Sequence, residues 1–429
     1  MNTINLFLVA SVIFGSSFGL SSQEHLKSLN PAYFDNSIDA GTDFYRHVNK
    51  GWMETHPLSD ESARRSQFDI LTDSVEARVK GLLLNLGDTN PVPGSDAYKI
   101  LTLYSQGMDS ARRNSDGARP ILDELKRIET ASSDRMEDLF LWMHTNCRTP
   151  FFRYQILNDV ADSNSYALYI RGGGMGLDDR DYYLGNDDRS KKVREAYCQL
   201  IVKQMQNAGY SRNDANRIMK NVMKIETSLA DSAWTREQSR NIPAMYNVRS
   251  INQLQQHYPH INWNRFFVES LAISIPSAVI VTEPSSISQA NNLMGSLSDR
   301  EMKDYYLWQY VNGASGYLSD QFSDADFEFA EAMSGVQQQR PRWKRALEAT
   351  EAAMGEAVGK LYIEKYFSES SKHYMLDMVE NLRTALGKHI INLTWMSDDT
   401  KLNAIKKNKC PDRKNRISRP MEGLLFSRY

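Results

Sequence analysis

The chain predicts a mainly α-helical fold with one small β-hairpin, and three observations carry this. Apolar residues recur at three- and four-residue spacing through most of the 429 positions, the period of helices that bury one face. Sustained alternation of apolar and polar residues is confined to Phe151–Ile170. Hydrophobic residues make up 41% and charged residues 24%, an ordinary folded-protein balance that leaves enough apolar surface for a core.

From the N-terminus, Ile4–Leu20 is an apolar run broken by small residues and followed by Ser21-Ser22. It reads as a secretion signal over residues 1–22, which implies export to the periplasm or the exterior; an uncleaved membrane anchor or a buried helix is the alternative. No later stretch is long and apolar enough to span a bilayer. An irregular segment, Pro31–Thr42, leads to Asp43, which can cap a helix carrying Phe44, Tyr45, Val48 and Trp52 on its apolar face. Pro57 interrupts that helix, and Ser59-Asp60-Glu61 start another with Phe68, Leu71, Val75, Val79 and Leu82 at helical spacing. Gly87 and Pro91–Pro93 end it. Further helices are expected at 95–113, 119–130 and 134–147. In Phe151–Ile170, Phe152, Tyr154 and Ile156 alternate, as do Tyr166, Leu168 and Ile170, giving the hairpin and the main strand content. Gly172-Gly173-Gly174 follows as a loop with unusual backbone angles. Residues 189–410 read as helices separated by Pro, Asn and Ser breaks, except Leu271–Glu283, whose β-branched run reads as a short buried strand.

Charge and cysteine usage exclude several functions. Lys+Arg (51) and Asp+Glu (53) nearly cancel, so no global field favours nucleic acid. Three cysteines, Cys147, Cys198 and Cys410, are too few for a disulfide framework. No G-x-S-x-G elbow, P-loop or G-x-G-x-x-G fingerprint occurs in the required context.

Six segments, in order, resemble the neprilysin/endothelin-converting-enzyme family of zinc peptidases, M13. They are Gly41–Tyr45 with Asn49, Gly51 and Trp52; Phe68–Leu71; Gly176–Leu184 (GLDDRDYYL); Glu226, Leu229 and Ala230 followed by Tyr246-Asn247 and Pro259–Trp263; Gly355–Tyr362 with Tyr366-Phe367; and Leu393, Trp395-Met396, Thr400-Lys401 and Ala404. Each alone reads as helix packing: Phe44, Tyr45 and Trp52 as anchors, Gly355 and Gly359 as close helix contacts, and Arg180-Asp181 as fixing a loop after the hairpin. The resemblance implies a large multi-helical, substrate-enclosing lid domain over residues 33–407. It also implies peptide substrates, and zinc as the cofactor of complete family members.

Zinc hydrolysis needs two histidines one helical turn apart with a glutamate between them, H-E-x-x-H, and a third ligand. None of the eight histidines begins that pattern; His257 and His260 are separated by Pro259 and read as a surface turn. The chain is therefore expected to hold no metal or cofactor, to have no catalytic residues, and to be inactive alone, with the catalytic zinc domain absent. The resemblance stops at Lys407, and residues 408–429 read as a divergent, disordered tail, a pattern expected of a frameshift or gene fragment. A short paralogue is the alternative. One substrate contact carries over: the family's arginine four residues before the Phe of F-D-x-L, which meets a peptide carboxylate, corresponds to Arg64. Arg65 is its substitute if the register shifts, and Thr72 stands where some members have a second arginine. The alternatives are a non-catalytic peptide-binding or scaffold protein, and a subunit complemented by a separate zinc domain.

Overall fold

A computed structural model describes residues 30–147, 149–162 and 165–409; the expected signal at 1–22 and the tail beyond Lys409 lie outside these residues. The described chain forms two compact units. The first runs to Asp69 and includes Val336–Gln338; the second comprises Ile70–Gly335 and the chain from Gln339 onward.

In the first unit, helix α1 (Phe44–Thr55) starts where the Asp43 carboxylate accepts the Arg46 amide N–H, and it ends before Pro57, as expected. The 3-10 turn Pro31–Tyr33 meets α1 at Gly51, where a Cβ would stand 2.9 Å from Tyr33 Cα. That short turn is too small to cover the whole helix. Phe44 (67%) and Tyr45 (66%) are exposed, not buried anchors, while Trp52 stacks on His56 with ring centroids 4.9 Å apart. The expected helical restart at Ser59–Glu61 does not occur. The Asp60 carbonyl accepts the amides of Gln337 and Gln338, so this stretch is a turn, and helix α2 (Gln67–Asp88) begins only after Ser66.

The second unit contains two hydrophobic cores. The smaller is built by α2, α3 (Asp96–Met108) and, far along the chain, a helix at Arg342–Tyr366. Its inward line on α2 is Val75, Val79, Leu83 and Leu86; Leu83 takes the place expected of Leu82, and Leu71 is exposed. At the crossing with α3, a Cβ on Gly107 would lie 2.8 Å from Ala346 Cβ, so glycine sets how closely these helices approach. The helix expected at 95–113 breaks at Asp109, which leaves helical angles and uses its carboxylate to cap α4 (Ser110–Asp116). The next two expected helices appear as α5 (Leu122–Thr130) and α6 (Met136–Asn146), each preceded by a 3-10 turn.

The larger core joins α5 and α6 to a sheet and a helical stack. Strands β1 (Phe152–Asn158) and β2 (Tyr166–Gly172) form the expected antiparallel hairpin with Tyr154 opposite Ile170. The sheet does not stop there. After α7 (Arg180–Leu184), α8 (Asp188–Asn207), α9 (Arg212–Ser232) and α10 (Ile242–Met245) come β3 (Asn247–Ser250), α11 (Ile251–His257), α12 (Trp263–Arg265) and β4 (Ala278–Val281). The order is β1-β2-β4-β3, with β4 parallel to β2 and antiparallel to β3. Thus 189–410 is not helical throughout. The strand expected within Leu271–Glu283 is β4, which begins after Pro276 and is buried at Val279–Val281. The remaining helices are α13 (Pro284–Ser296), α14 (Asp299–Ala314), α15 (Asp320–Ser334), α16 (Arg342–Tyr366), α17 (Glu369–Asn392) and α18 (Asp398–Lys409).

A buried polar network holds the GLDDRDYYL segment against α9 and α14. Glu226 is fully buried and accepts the Tyr183 hydroxyl at 2.6 Å, the Tyr197 hydroxyl at 3.0 Å and the Gly176 amide at 3.1 Å. Burial and the carboxylate beside them push both tyrosine pKa values well above normal, so they remain donors. Trp308 Nε1 donates to Tyr197 in turn. Of the three loop glycines only Gly174 has positive φ (+80°), and its carbonyl accepts the Tyr305 hydroxyl at 2.6 Å. Arg180 donates to the Ala230 carbonyl, fastening the loop as expected.

Candidate functional site

Arg64 lies in an irregular segment just before α2, not on a helix. Its loop is organised locally: the Ser62 hydroxyl donates to the Arg64 carbonyl at 2.6 Å and accepts the Arg64 amide at 3.4 Å. Ser66 and Asp69 then exchange two bonds, hydroxyl to carboxylate at 2.5 Å and amide to hydroxyl at 3.3 Å, which start α2. These bonds to Ser66, with Arg64 and Arg65 nearby, hold the Asp69 carboxyl below its usual pKa range. The Arg64 side chain is 85% exposed, and its nearest anionic atom is Asp69 Oδ1 at 3.9 Å. Such a contact at the surface tethers a guanidinium loosely and leaves its donor fork open to a second carboxylate. Phe68, 81% exposed, stands one turn into the same segment. Arg65 is half-buried beside them.

A second exposed surface belongs to the second unit. In α16, Met354 leaves helical angles (φ −135°, ψ 30°), and the Gly355–Tyr362 segment begins at this kink. Gly355 and Gly359 were expected to mark close helix contacts. Among the described residues nothing lies within 4 Å of a Cβ built on either; α16 packs on α3 and α2 through Ala346, Leu347 and Val358. Helix α17 buries only Ile390, while Met375, Met378, Leu382 and Leu386, spaced three and four apart, are exposed as one stripe. Trp395, from the following segment, is 76% exposed.

Neither surface is a zinc centre. His144 is buried among Phe140, Phe152 and Phe266, His47 meets the carbonyls of Asp35 and Ile38, and His257 and His260 are exposed around a turn. Among the described residues no group of three or more His, Cys, Asp or Glu side chains could hold a metal ion. Among the described residues the histidines named above do not converge as zinc ligands do.

Residues 40–410 match the profile of peptidase family M13, N-terminal region. The chain belongs to this family. It is 27% identical over 386 residues to endothelin-converting enzyme 1 of Rattus norvegicus, covering 87% of this chain and 50% of that protein. It is 25% identical over 422 residues to neprilysin-1 of Caenorhabditis elegans, covering 92% and 55%. This M13 chain therefore spans about half the length of the curated relatives it matches. Among solved structures, the Mycobacterium tuberculosis zinc metalloprotease Zmp1 in complex with an inhibitor superposes with a TM-score of 0.80 at 27% identity, over 89% of this chain and 58% of that one. PepO of Lactobacillus rhamnosis shares the fold at 18% identity with a TM-score of 0.73, over 86% and 59%. The mainly helical architecture of this M13 chain is thus shared with the matched parts of these structures. Helix α18, carrying the last family segment, continues to Lys409, slightly past the expected end of the family pattern at Lys407. No helix among the described residues is long and apolar enough to cross a membrane.

Proposed function

We propose that this chain is the substrate-enclosing, N-terminal part of an M13 zinc metalloendopeptidase: it binds small peptides by a terminal carboxylate and does not hydrolyse them by itself. The exposure of Arg64 carries the reading. A planar guanidinium with five donors, followed closely by exposed Phe68, suits a peptide end that presents a carboxylate and an apolar side chain. Arg65, the adjacent cation, supports the same capture if the peptide approaches from the half-buried side. Thr72, where some members carry a second arginine, leaves capture to depend chiefly on Arg64. The lack of an H-E-x-x-H segment supports the second half of the reading. Export follows from the apolar run at Ile4–Leu20.

The exposed stripe on α17 favours one further reading, that a separately supplied zinc-bearing domain completes the enzyme. Contiguous exposed apolar residues mark surfaces that other protein covers. A quenched fluorescent peptide and the same peptide unlabelled test both readings with the full chain. Peptide binding without hydrolysis, lost in Arg64→Ala and retained in Arg65→Ala, is the expected result. Hydrolysis by the purified chain that a chelator abolishes would sink the non-catalytic reading.

A further inference from the structure

The outer face of the four-stranded sheet, wholly within the second unit, borders a cavity. Alternation sends Phe152, Leu168 and Ile170 into the core and leaves Gln155, Leu157, Tyr169 and Arg171 on the opposite face, where Gln155 pairs with Tyr169 across the hairpin. A polar outer face would be left to water. Here the chain from Trp234 to Tyr246 returns over it as a roof. It is pinned at one end by the Trp234 amide donating to Glu283, and at the other by the Tyr246 hydroxyl donating to Asp159 at 3.1 Å. Roof and sheet are not in full contact, and between them lies a cavity of about 460 Å³. That is the size and form of small-molecule sites in general.

The lining is divided by chemistry. Leu157, Val160, Trp234, Ile242, Met245 and Tyr246 give apolar walls. Three of these are unusually exposed for their type, Leu157 at 48%, Val160 at 52% and Ile242 at 53%, so an apolar surface faces solvent at this cavity. Two charges of opposite sign complete the wall, Arg171 and Glu283. They are not paired with each other. Among the described residues Arg171 reaches only the Gln155 amide oxygen, at 3.4 Å, and Glu283 spends one oxygen on the Trp234 amide. Its other oxygen, Oε2, lies beside Gly172, where a Cβ would stand only 2.7 Å away, so glycine is what makes room for the carboxylate there. One cation and one anion left unneutralised around an apolar cavity form a complement to a zwitterion with a large apolar side chain.

We propose that this cavity binds a dipeptide-sized zwitterion, its carboxylate on the Arg171 guanidinium, its ammonium on Glu283 Oε2, and its apolar side chain between Leu157, Ile242 and Met245. The site extends the peptide-binding reading above but uses different residues, so the two can fail separately. Calorimetric titration of the full chain with the dipeptide Phe-Leu tests it, with N-acetyl-Phe-Leu and Phe-Leu amide as controls. Phe-Leu is expected to bind saturably below about 10 mM, the range for a ligand of this size, and each blocked form about tenfold more weakly, since each loses one charge-assisted contact. Arg171→Gln, at an exposed position, should remove the preference for acid over amide, and Met245→Trp, which fills the apolar end, should weaken all three ligands. The wild-type comparison of free and blocked peptides decides the matter even if a variant folds poorly. Equal affinity for all three, or no saturable binding, overturns the proposal. Binding that survives Arg171→Gln but is lost in Arg64→Ala also overturns it, while leaving the loop reading intact.

Discussion

Acidification should destabilise the larger core through one residue, His144. The ring is 3% exposed and its centroid lies 4.5 Å from Phe140, 4.8 Å from Phe152 and 5.1 Å from Phe266. Neither ring nitrogen makes a hydrogen bond of good geometry. Burial holds the imidazole neutral, lowering its pKa from 6.5 to about 3, and the Pro150 carbonyl offsets only a small part of this. The folded state therefore binds the proton more weakly than the unfolded one. Stability is fully present above the unfolded value of 6.5 and is lost as pH falls toward 3. At pH 5 the cost is about 2 kcal/mol relative to pH 7, and below the folded pKa it approaches about 5 kcal/mol. Carboxylates titrate over the same interval, so the measurement is a comparison with His144→Leu, which removes the titration and keeps an apolar side chain. Urea midpoints followed by tryptophan fluorescence report this core directly, because Trp263 and Trp308 are both fully buried in it. The wild type should lose about 2 kcal/mol more than the variant between pH 7 and pH 5. Parallel losses in the two proteins would refute the reasoning, since they would mean that the buried ring finds a partner when protonated.

Tyr183→Phe should destabilise the second unit by about 1.5–3 kcal/mol, the range for a hydrogen bond to a charged group, because it removes the 2.6 Å bond to Glu226. The same urea titration reads this, and a change within about 0.5 kcal/mol would show that Glu226 is satisfied without it. In hydrogen exchange, amides in α17 should exchange well before those in α14. The first helix buries Ile390 alone, while the second buries eight side chains including Tyr305, Tyr306 and Trp308. Equal protection in the two helices would mean that α17 is covered in solution.

What could be read from the residues depended on how locally each feature is determined. Asp43 announces α1 because a cap is a three-residue device, and the Phe152–Ile170 alternation announces its hairpin because both partners are close in sequence. Strand β3 carries no such signal. Four residues, Asn247–Ser250, become a strand because Ala278–Val281, some thirty positions later, presents an edge to them. The turn at Ser59–Glu61 was likewise masked, since what forbids the helix there is the pairing of the Asp60 carbonyl with Gln337 and Gln338. For the candidate site, Arg64 was found only through the family pattern around F-D-x-L. A lone arginine before a helix has no distinguishing period or spacing. The cavity between the sheet and its roof was invisible for the same reason as β3, its walls coming from 155–172, 234–246 and 282–283.

Periodicity also misjudged which aromatic and aliphatic positions are buried, and the errors are informative. Phe44, Phe68 and Leu71, expected on apolar helix faces, are exposed; on α17, for which no buried positions were expected, Met375, Met378, Leu382 and Leu386 also form an exposed stripe. A helical stripe records the face a sequence is built to cover, whether or not the covering surface lies within the described residues. Fully burying one such side chain is worth about 1.5–3 kcal/mol, and these four are about half exposed, so leaving the α17 stripe in water forgoes roughly 3–6 kcal/mol before any ordering cost. Stability of this unit does not depend on recovering it, because α8, α9, α14 and the sheet form a core without α17. The open glycines Gly355 and Gly359 point the same way: residues that would let another backbone approach have nothing within 4 Å. Apolar stripe and open glycines lie on α17 and α16, helices in the region of the last two family segments. The proposal that another domain covers α17 therefore rests on exposure at named residues and is tested separately from peptide binding at Arg64.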